Sequence, residues 1–204
     1  MLGAGLAQSS ASVLARSIFS RRAVSMASTY IRSMHPKTAI RPERSAIERI
    51  LRSGWVAQLK IHGHRAQIHI PADKAKKMLV YTRQGTVHKQ KLSPEMVSEL
   101  HRLFLPRKDW NVIDAEWLKP EDKLFVFDFI KKEGELLSQF TFPERWRMLP
   151  REFISPRITV LPLIKNVEQC LEILSQEKPH AEGLVFKSRS RAGFSDTSII
   201  RCRR

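Results

Sequence analysis

Gln58-Leu59-Lys60-Ile61-His62-Gly63-His64-Arg65-Ala66-Gln67-Ile68-His69 is the stretch on which the reading of this chain turns. The apolar and β-branched run Trp55 to Ile61 and the alternating run Arg65 to Ile70 each read as a strand, and His62-Gly63 reads as the turn between them. A lysine therefore stands at a strand end just before a glycine turn, with an arginine on the returning strand. Beyond the break Pro71-Ala72-Asp73, Met78 to Thr82 reads as a third strand. A three-stranded antiparallel meander is expected.

Working outward, Glu43 to Arg52 places Ile47, Ile50 and Leu51 on one face of a short helix. Ser93-Pro94-Glu95 starts a helix running to about Leu105, because Ser caps free amides, Pro fits the first turn and Glu complements the dipole. Asn111 to Leu118 and Lys123 to Ile130 read as strands split by the turn Lys119-Pro120-Glu121-Asp122. A helix follows around Glu144 to Leu149, then a strand over Arg157 to Leu163 and a helix from the cap Asn166 to about Glu177. Gly183 to Lys187 and Ser198 to Arg203 are the last two strands. Antiparallel runs of strands with helices between them indicate an α+β domain rather than a doubly wound parallel sheet.

Lys and Arg outnumber Asp and Glu by 36 to 20, a net charge of +16 over 204 residues. That surplus repels itself unless a polyanion or counterions lie close, so nucleic acid is the expected partner, with a merely solvated basic surface as the alternative. No run of about 18 apolar residues occurs, so no transmembrane helix and no membrane association are expected. Cys170 and Cys202 stand far apart without a Cys-x-x-Cys or Cys/His cluster, which suggests neither a disulfide framework nor a zinc site.

The first 42 residues hold no Asp or Glu and six basic residues among many Ser and Ala. They read as a basic, disordered arm, a mitochondrial transit peptide or an over-long translation start. Domain organisation is accordingly an arm over 1–42 and a packed domain over 43–204. The expected location is the cytoplasm of a bacterial or phage-infected cell, or the mitochondrial matrix if the arm is a transit peptide.

Five short motifs in one order carry a resemblance. Lys60-x-x-Gly63-x-Arg65-Ala66-Gln67-Ile68-His69, Tyr81-Thr82-Arg83-Gln84-Gly85, Ile113-Asp114-Ala115-Glu116, Phe125-Val126-Phe127-Asp128 and Glu182-Gly183-Leu184-Val185-Phe186-Lys187 resemble the successive motifs of ATP-dependent DNA ligases. The likeness covers about residues 36 to 204. It implies an adenylation (nucleotidyltransferase) fold, with two antiparallel sheets, flanking helices and the nucleotide between the sheets.

By that resemblance Lys60 is the catalytic nucleophile that takes AMP from ATP. Such an amine attacks only when unprotonated, whereas a free lysine has a pKa of about 10.4, so neighbouring cations have to lower it. Lys187, Arg201 and Mg²⁺ are the expected cations, and they would also stabilise the charge that builds as pyrophosphate leaves. Glu116 and Glu182 are expected to approach the nucleotide directly or through water on Mg²⁺, and the resemblance also gives Glu116 and Arg65 to the ribose. Phe127 is placed against adenine by the same likeness. Read from the residues alone, Phe125, Phe127 and Phe129 share one face of an alternating strand, which is ordinarily core. Gly63 and Gly183 allow close approach of backbone to ligand.

Three departures bear on function. His62 stands where DNA ligases carry Asp, and Lys-x-His-Gly is a feature of the second class of phage-type RNA ligases and their editing-ligase relatives. Gln58 replaces a Glu near the adenine amino group, for which its carbonyl oxygen can still accept. The final Lys-x-Lys appears as Arg201-Cys202-Arg203, which keeps charge but changes its shape. Family members add a further domain, often an OB-fold, after the last motif; none is expected here, so a partner protein or the basic surface would supply the clamp. The expectation is a monomeric ATP- and Mg²⁺-dependent ligase sealing nicked duplex DNA, with RNA ligation, an idle nucleic-acid-binding scaffold and a GTP-using capping enzyme as rivals.

Overall fold

In the computed structural model, which describes residues 28–151 and 155–204, the chain runs β1 (Thr38–Ile40), α1 (Arg44–Arg52), β2 (Trp55–Ile61), β3 (His64–Pro71), β4 (Leu79–Tyr81), α2 (Pro94–Phe104), β5 (Trp110–Leu118), β6 (Lys123–Lys132), β7 (Glu135–Leu136), α3 (Phe142–Arg147), β8 (Ile158–Val160), α4 (Val167–Ser175), β9 (Ala181–Ser188) and β10 (Ile199–Arg203). The fold class is α+β. Helix starts follow local chemistry. The Ser93 hydroxyl accepts from the Met96 amide at 3.0 Å and Asn166 accepts from the Glu168 amide at 2.7 Å. Thr141 and Glu144 form a reciprocal capping box that opens α3.

The strands form two sheets, one of four strands in the order β1-β10-β9-β2 and one of six with the path β4-β3-β5-β6-β7, to which β8 adds by pairing with β6. Interior pairings are antiparallel, as expected. Each sheet is nevertheless mixed, because β1 runs parallel to β10 and β8 runs parallel to β6. The expected three-stranded meander is corrected: β2 pairs with β9 in the first sheet, while β3 pairs with β4 and β5 in the second. His62-Gly63 is therefore a crossing between sheets and not a hairpin turn.

Each sheet buries its outer face under helices. Ile47 and Ile50 of α1 and Cys170 and Leu174 of α4 pack with Ala57, Leu184, Phe186 and Cys202 of the first sheet. Met96, Leu100 and Phe104 of α2 pack with Ala66, Ile68, Ile113, Ala115, Val126 and Phe129 of the second. The inner faces look at each other, and Ile61, Leu118 and Leu161 close the space between them.

The boundary expected at Glu43 moves toward the N-terminus. The Gln67 side-chain amide clasps the backbone of Ile31, accepting from its N–H at 2.9 Å and donating to its C=O at 2.7 Å. Ser28 bonds His69 at 2.6 Å, and Asp196 accepts from the His35 amide at 2.9 Å. Residues 28–42 thus pack as part of the domain, since their backbone finds partners on β3 and near β10. The remainder of the expected arm, 1–27, lies outside the described residues.

Candidate active site

Three strands of the first sheet present one face to the space between the sheets. Register puts Lys60, Gly183 and Arg203 side by side, then Gln58, Val185 and Arg201 one step further along. Opposite, β3 and β5 pair Arg65 with Glu116 and Gln67 with Asp114. Between these faces lies a cavity of about 300 Å³ lined by all nine residues expected from sequence: Gln58, Lys60, Arg65, Glu116, Phe127, Glu182, Lys187, Arg201 and Arg203.

Two of the nine are aimed there by β-bulges. Lys60 pairs with Gly183 and Ile61 with Ala181, so Glu182 is the extra residue and turns toward the cleft. Ala115 pairs with Val126 and Asp114 with Asp128, leaving Phe127 as the extra residue on β6. The second bulge reverses the strand's parity. Phe129 joins Val126 in the core, while Phe125 and Phe127 face the cleft side, so the expectation of three phenylalanines on one core face is overturned. An extra residue that re-aims a side chain beside a site is a recurrent use of bulges.

Gly183 sits at φ +142°, and a Cβ there would come within 2.2 Å of the Cys202 carbonyl oxygen. Gly183→Ala is expected to cost about 1–3 kcal/mol, read as a lower Tm and a disturbed Glu182 bulge. An unchanged Tm would contradict this account of the strand.

The electrostatics are concentrated. Glu182 receives bonds from both Lys60 and His62, with Arg203 Nε at 3.5 Å. Partial burial works against its charge, yet those bonds hold its carboxyl below the usual range. Burial pushes the Glu116 carboxyl up to about 7, against the opposing pull of Arg65 and Lys60. Lys187 is 3% exposed, and burial lowers its ammonium to about 7 while Asp128 partly compensates. Its Nζ donates to the Phe127 carbonyl at 3.3 Å and stands 4.6 Å from the Phe127 ring centroid and 4.0 Å from that of Phe142.

The raised Glu116 pKa has a stability consequence. Between about pH 4.5 and 7 the folded chain holds a proton that the unfolded chain has released, so this group's contribution to stability falls as pH rises. Glu116→Gln should therefore gain Tm over the parent progressively across that window and hold a constant advantage above it. A difference independent of pH would contradict the burial of this carboxyl.

Gln58 is 1% exposed, and its Nε2 donates to the Leu161 carbonyl at 3.1 Å. That bond fixes the amide's orientation and leaves Oε1 buried and without a partner among the described residues. A buried acceptor left unsatisfied costs about 1–3 kcal/mol, which an N–H donor in the cleft would remove. Arg65 forms a two-bonded pair with Asp114 and also reaches the Met34 carbonyl at 3.4 Å. Its guanidinium lies 4.7 Å from the Phe127 centroid, so cations approach this ring from β3 and β9.

Sequence reasoning missed three contributions. His35 and Pro36 line the cavity from a segment read as an arm. Asp114 holds Arg65 in place. Arg145, 0% exposed, grips Asp128 through Nε and Nη2 at 2.9 Å each, beside Lys187. A buried arginine in the short helix of Phe142-Pro143-Glu144-Arg145 has no periodic signature that separates it from surface charge.

Two sheets enclosing a cleft with lysine, paired glutamates and flanking cations are the architecture of a ligase nucleotidyltransferase domain. Residues 53–201 match the RNA ligase family, and the chain belongs to it. Among solved structures it is similar to a mycobacterial DNA ligase D complexed with ATP and MES, with TM-score 0.52 and 16% identity over 74% of this chain and 55% of that one. It is also similar to the ligase domain of LigD from M. tuberculosis, with TM-score 0.50 and 19% identity over 72% and 53%. The chain spans about half the length of these structures, and at such identity they show the fold alone. No curated protein sequence matches it. No helix among the described residues is long and apolar enough to cross a membrane.

Proposed function

We propose that this is the adenylating domain of an ATP-dependent polynucleotide ligase, with Lys60 as nucleophile. The observation that carries the reading is the convergence of Lys60, Glu116, Glu182 and Lys187, from three strands of the two sheets, on one cleft. In the proposed reaction the neutral Lys60 amine attacks the α-phosphorus of ATP. A nitrogen–phosphorus bond forms, the bond to pyrophosphate breaks, and the displaced amine proton leaves to water. AMP then passes to a 5′-phosphate, and a 3′-hydroxyl displaces it as the strand is sealed.

The residues fit these roles. Gln58 Oε1 offers an acceptor for the adenine amino group, and Phe127 is an aromatic ring that lines the cleft, against which adenine would lie. Lys187, Arg201 and Arg203 line the same cleft and would meet the charge of a bound triphosphate. The Lys60 amine has to be released from Glu182 before it can react. Glu182 and Glu116 line the same cleft, where they would face a Mg²⁺ carried mainly by phosphate and water. Such an ion would neutralise the leaving pyrophosphate.

Incubation of the protein with α-labelled ATP and Mg²⁺ tests the proposal, with unlabelled GTP as competitor. Label on Lys60 that survives alkali and is released by acid, as a nitrogen–phosphorus bond requires, and that resists competition by GTP, is the expected result. Folded protein that binds nucleic acid without taking label would overturn it in favour of an idle scaffold. Nicked duplex DNA is the proposed substrate, on the Arg65-Ala66-Gln67-Ile68-His69 continuation. Membership of the RNA ligase family and His62, which touches Glu182, favour RNA as the second reading. Sealing of matched nicked DNA and RNA duplexes separates the two.

A further inference from the structure

Outside the cleft, a second cavity of about 350 Å³ opens at the β4 edge of the six-stranded sheet, between that edge and α2. Lys74, Lys76, Lys77 and Lys91 stand around it, all exposed. Residues 71–92 contain six Lys and Arg against one acid, Asp73. That carboxylate is turned onto its own loop, accepting from the Ala75 amide at 2.9 Å. Among the described residues no carboxylate forms an ion pair with these four lysines.

The floor of the cavity is apolar. Val97 and Leu92 are partly buried there, and Val87 is 55% exposed, one of two large hydrophobic side chains so exposed among the described residues. His101 also lines it, with Nε2 buried and without a hydrogen-bond partner among the described residues. Burial, and next to it the charge of Lys74, lower the pKa of this imidazole, which keeps it neutral and able to bond a neutral partner. A merely solvated lysine face needs neither an apolar floor nor an unpaired ring nitrogen.

The cavity neighbours the cleft. His88, on its wall, donates from Nε2 to the Arg65 carbonyl at 2.9 Å, and Arg83, from the turn that follows β4, lines the cleft itself. Cations outside and an apolar seat within match a ligand with anionic edges and a flat, weakly polar face. We propose that this pocket seats an unpaired nucleotide of the polynucleotide substrate, with its phosphates on the lysines and its base against Val87, Leu92 and Val97. The proposal rests on the polynucleotide ligase reading and gives that substrate a second, sequence-independent hold beside the cleft.

Anisotropy of a fluorescent nicked duplex with a short single-stranded flap, and of its fully paired counterpart, tests this across a salt series. The full chain is compared with Lys74→Ala/Lys76→Ala/Lys77→Ala/Lys91→Ala and with Val87→Glu, and labelling by α-labelled ATP is followed in parallel. The lysine variant should lose at least tenfold in affinity, with a salt slope shallower by about 0.7 for each single-strand phosphate contact removed. Val87→Glu should lose affinity for the flapped duplex alone, and both variants should label like the parent. If the parent labels while both variants bind every duplex as the parent does, the pocket proposal falls and the ligase reading stands. If the parent neither labels nor binds, both fall. Stronger competition by an acidic polypeptide than by nucleic acid would hand the pocket to a protein partner and overturn the proposal.

Discussion

Lys60→Ala is expected to abolish transfer of label from α-labelled ATP to the protein, a loss on the order of 10⁴-fold or more, as for other enzymes deprived of their nucleophile. Lys60→Arg should fail equally, since a guanidinium keeps its charge but cannot present a neutral nitrogen at ordinary pH. The fold should tolerate both changes. The Lys60 side chain is 18% exposed at the cleft wall and belongs to neither large core cluster. A folded Lys60→Arg protein that still takes alkali-stable, acid-labile label would place the nucleophile elsewhere, and among the described residues no other lysine lining the cleft is as open, Lys187 being 3% exposed.

The second large effect is on stability. Arg145→Leu is expected to cost about 3–5 kcal/mol, the range for breaking a buried ion pair from one side, because Asp128 would be left 1% exposed without its partner. Arg145 also donates to the carbonyls of Phe140 at 2.7 Å and Gly193 at 3.2 Å and lies 4.6 Å from the Phe194 ring centroid. The double variant Asp128→Leu/Arg145→Leu should recover part of the loss, since it removes the stranded charge. Denaturant unfolding of the parent, both single variants and the double variant measures the coupling. Additive losses would show that the pair acts as two separate packing groups.

Much of the fold was legible where local chemistry decides it. Trp55–Ile61 is a strand over the residues expected, and Ser93 and Asn166 cap the helices they were expected to cap. What was not legible is long-range. The glycine at position 63 announces a turn but not whether the strands beside it pair, and β2 instead finds β9 more than 100 residues away. Bulges are equally silent. An inserted residue leaves the apolar alternation of Phe125, Phe127 and Phe129 intact on paper while reversing which of them faces the core. The segment 28–42 carries no apolar period, and its backbone is held by hydrogen bonds to the Gln67 and Asp196 side chains and by the pairing of β1 with β10, which composition does not record. The candidate site residues came from ordered motifs, since periodicity alone places none of them in a common cleft.

The crossing at His62-Gly63 ties Lys60 and Arg65 to two separately hydrogen-bonded frameworks, though only four residues divide them. Any small rocking of one framework against the other is felt first as a change in the gap between that amine and that guanidinium. A molecule touching both acts as a brace across the joint, so its grip and the stiffness of the whole domain should rise and fall together.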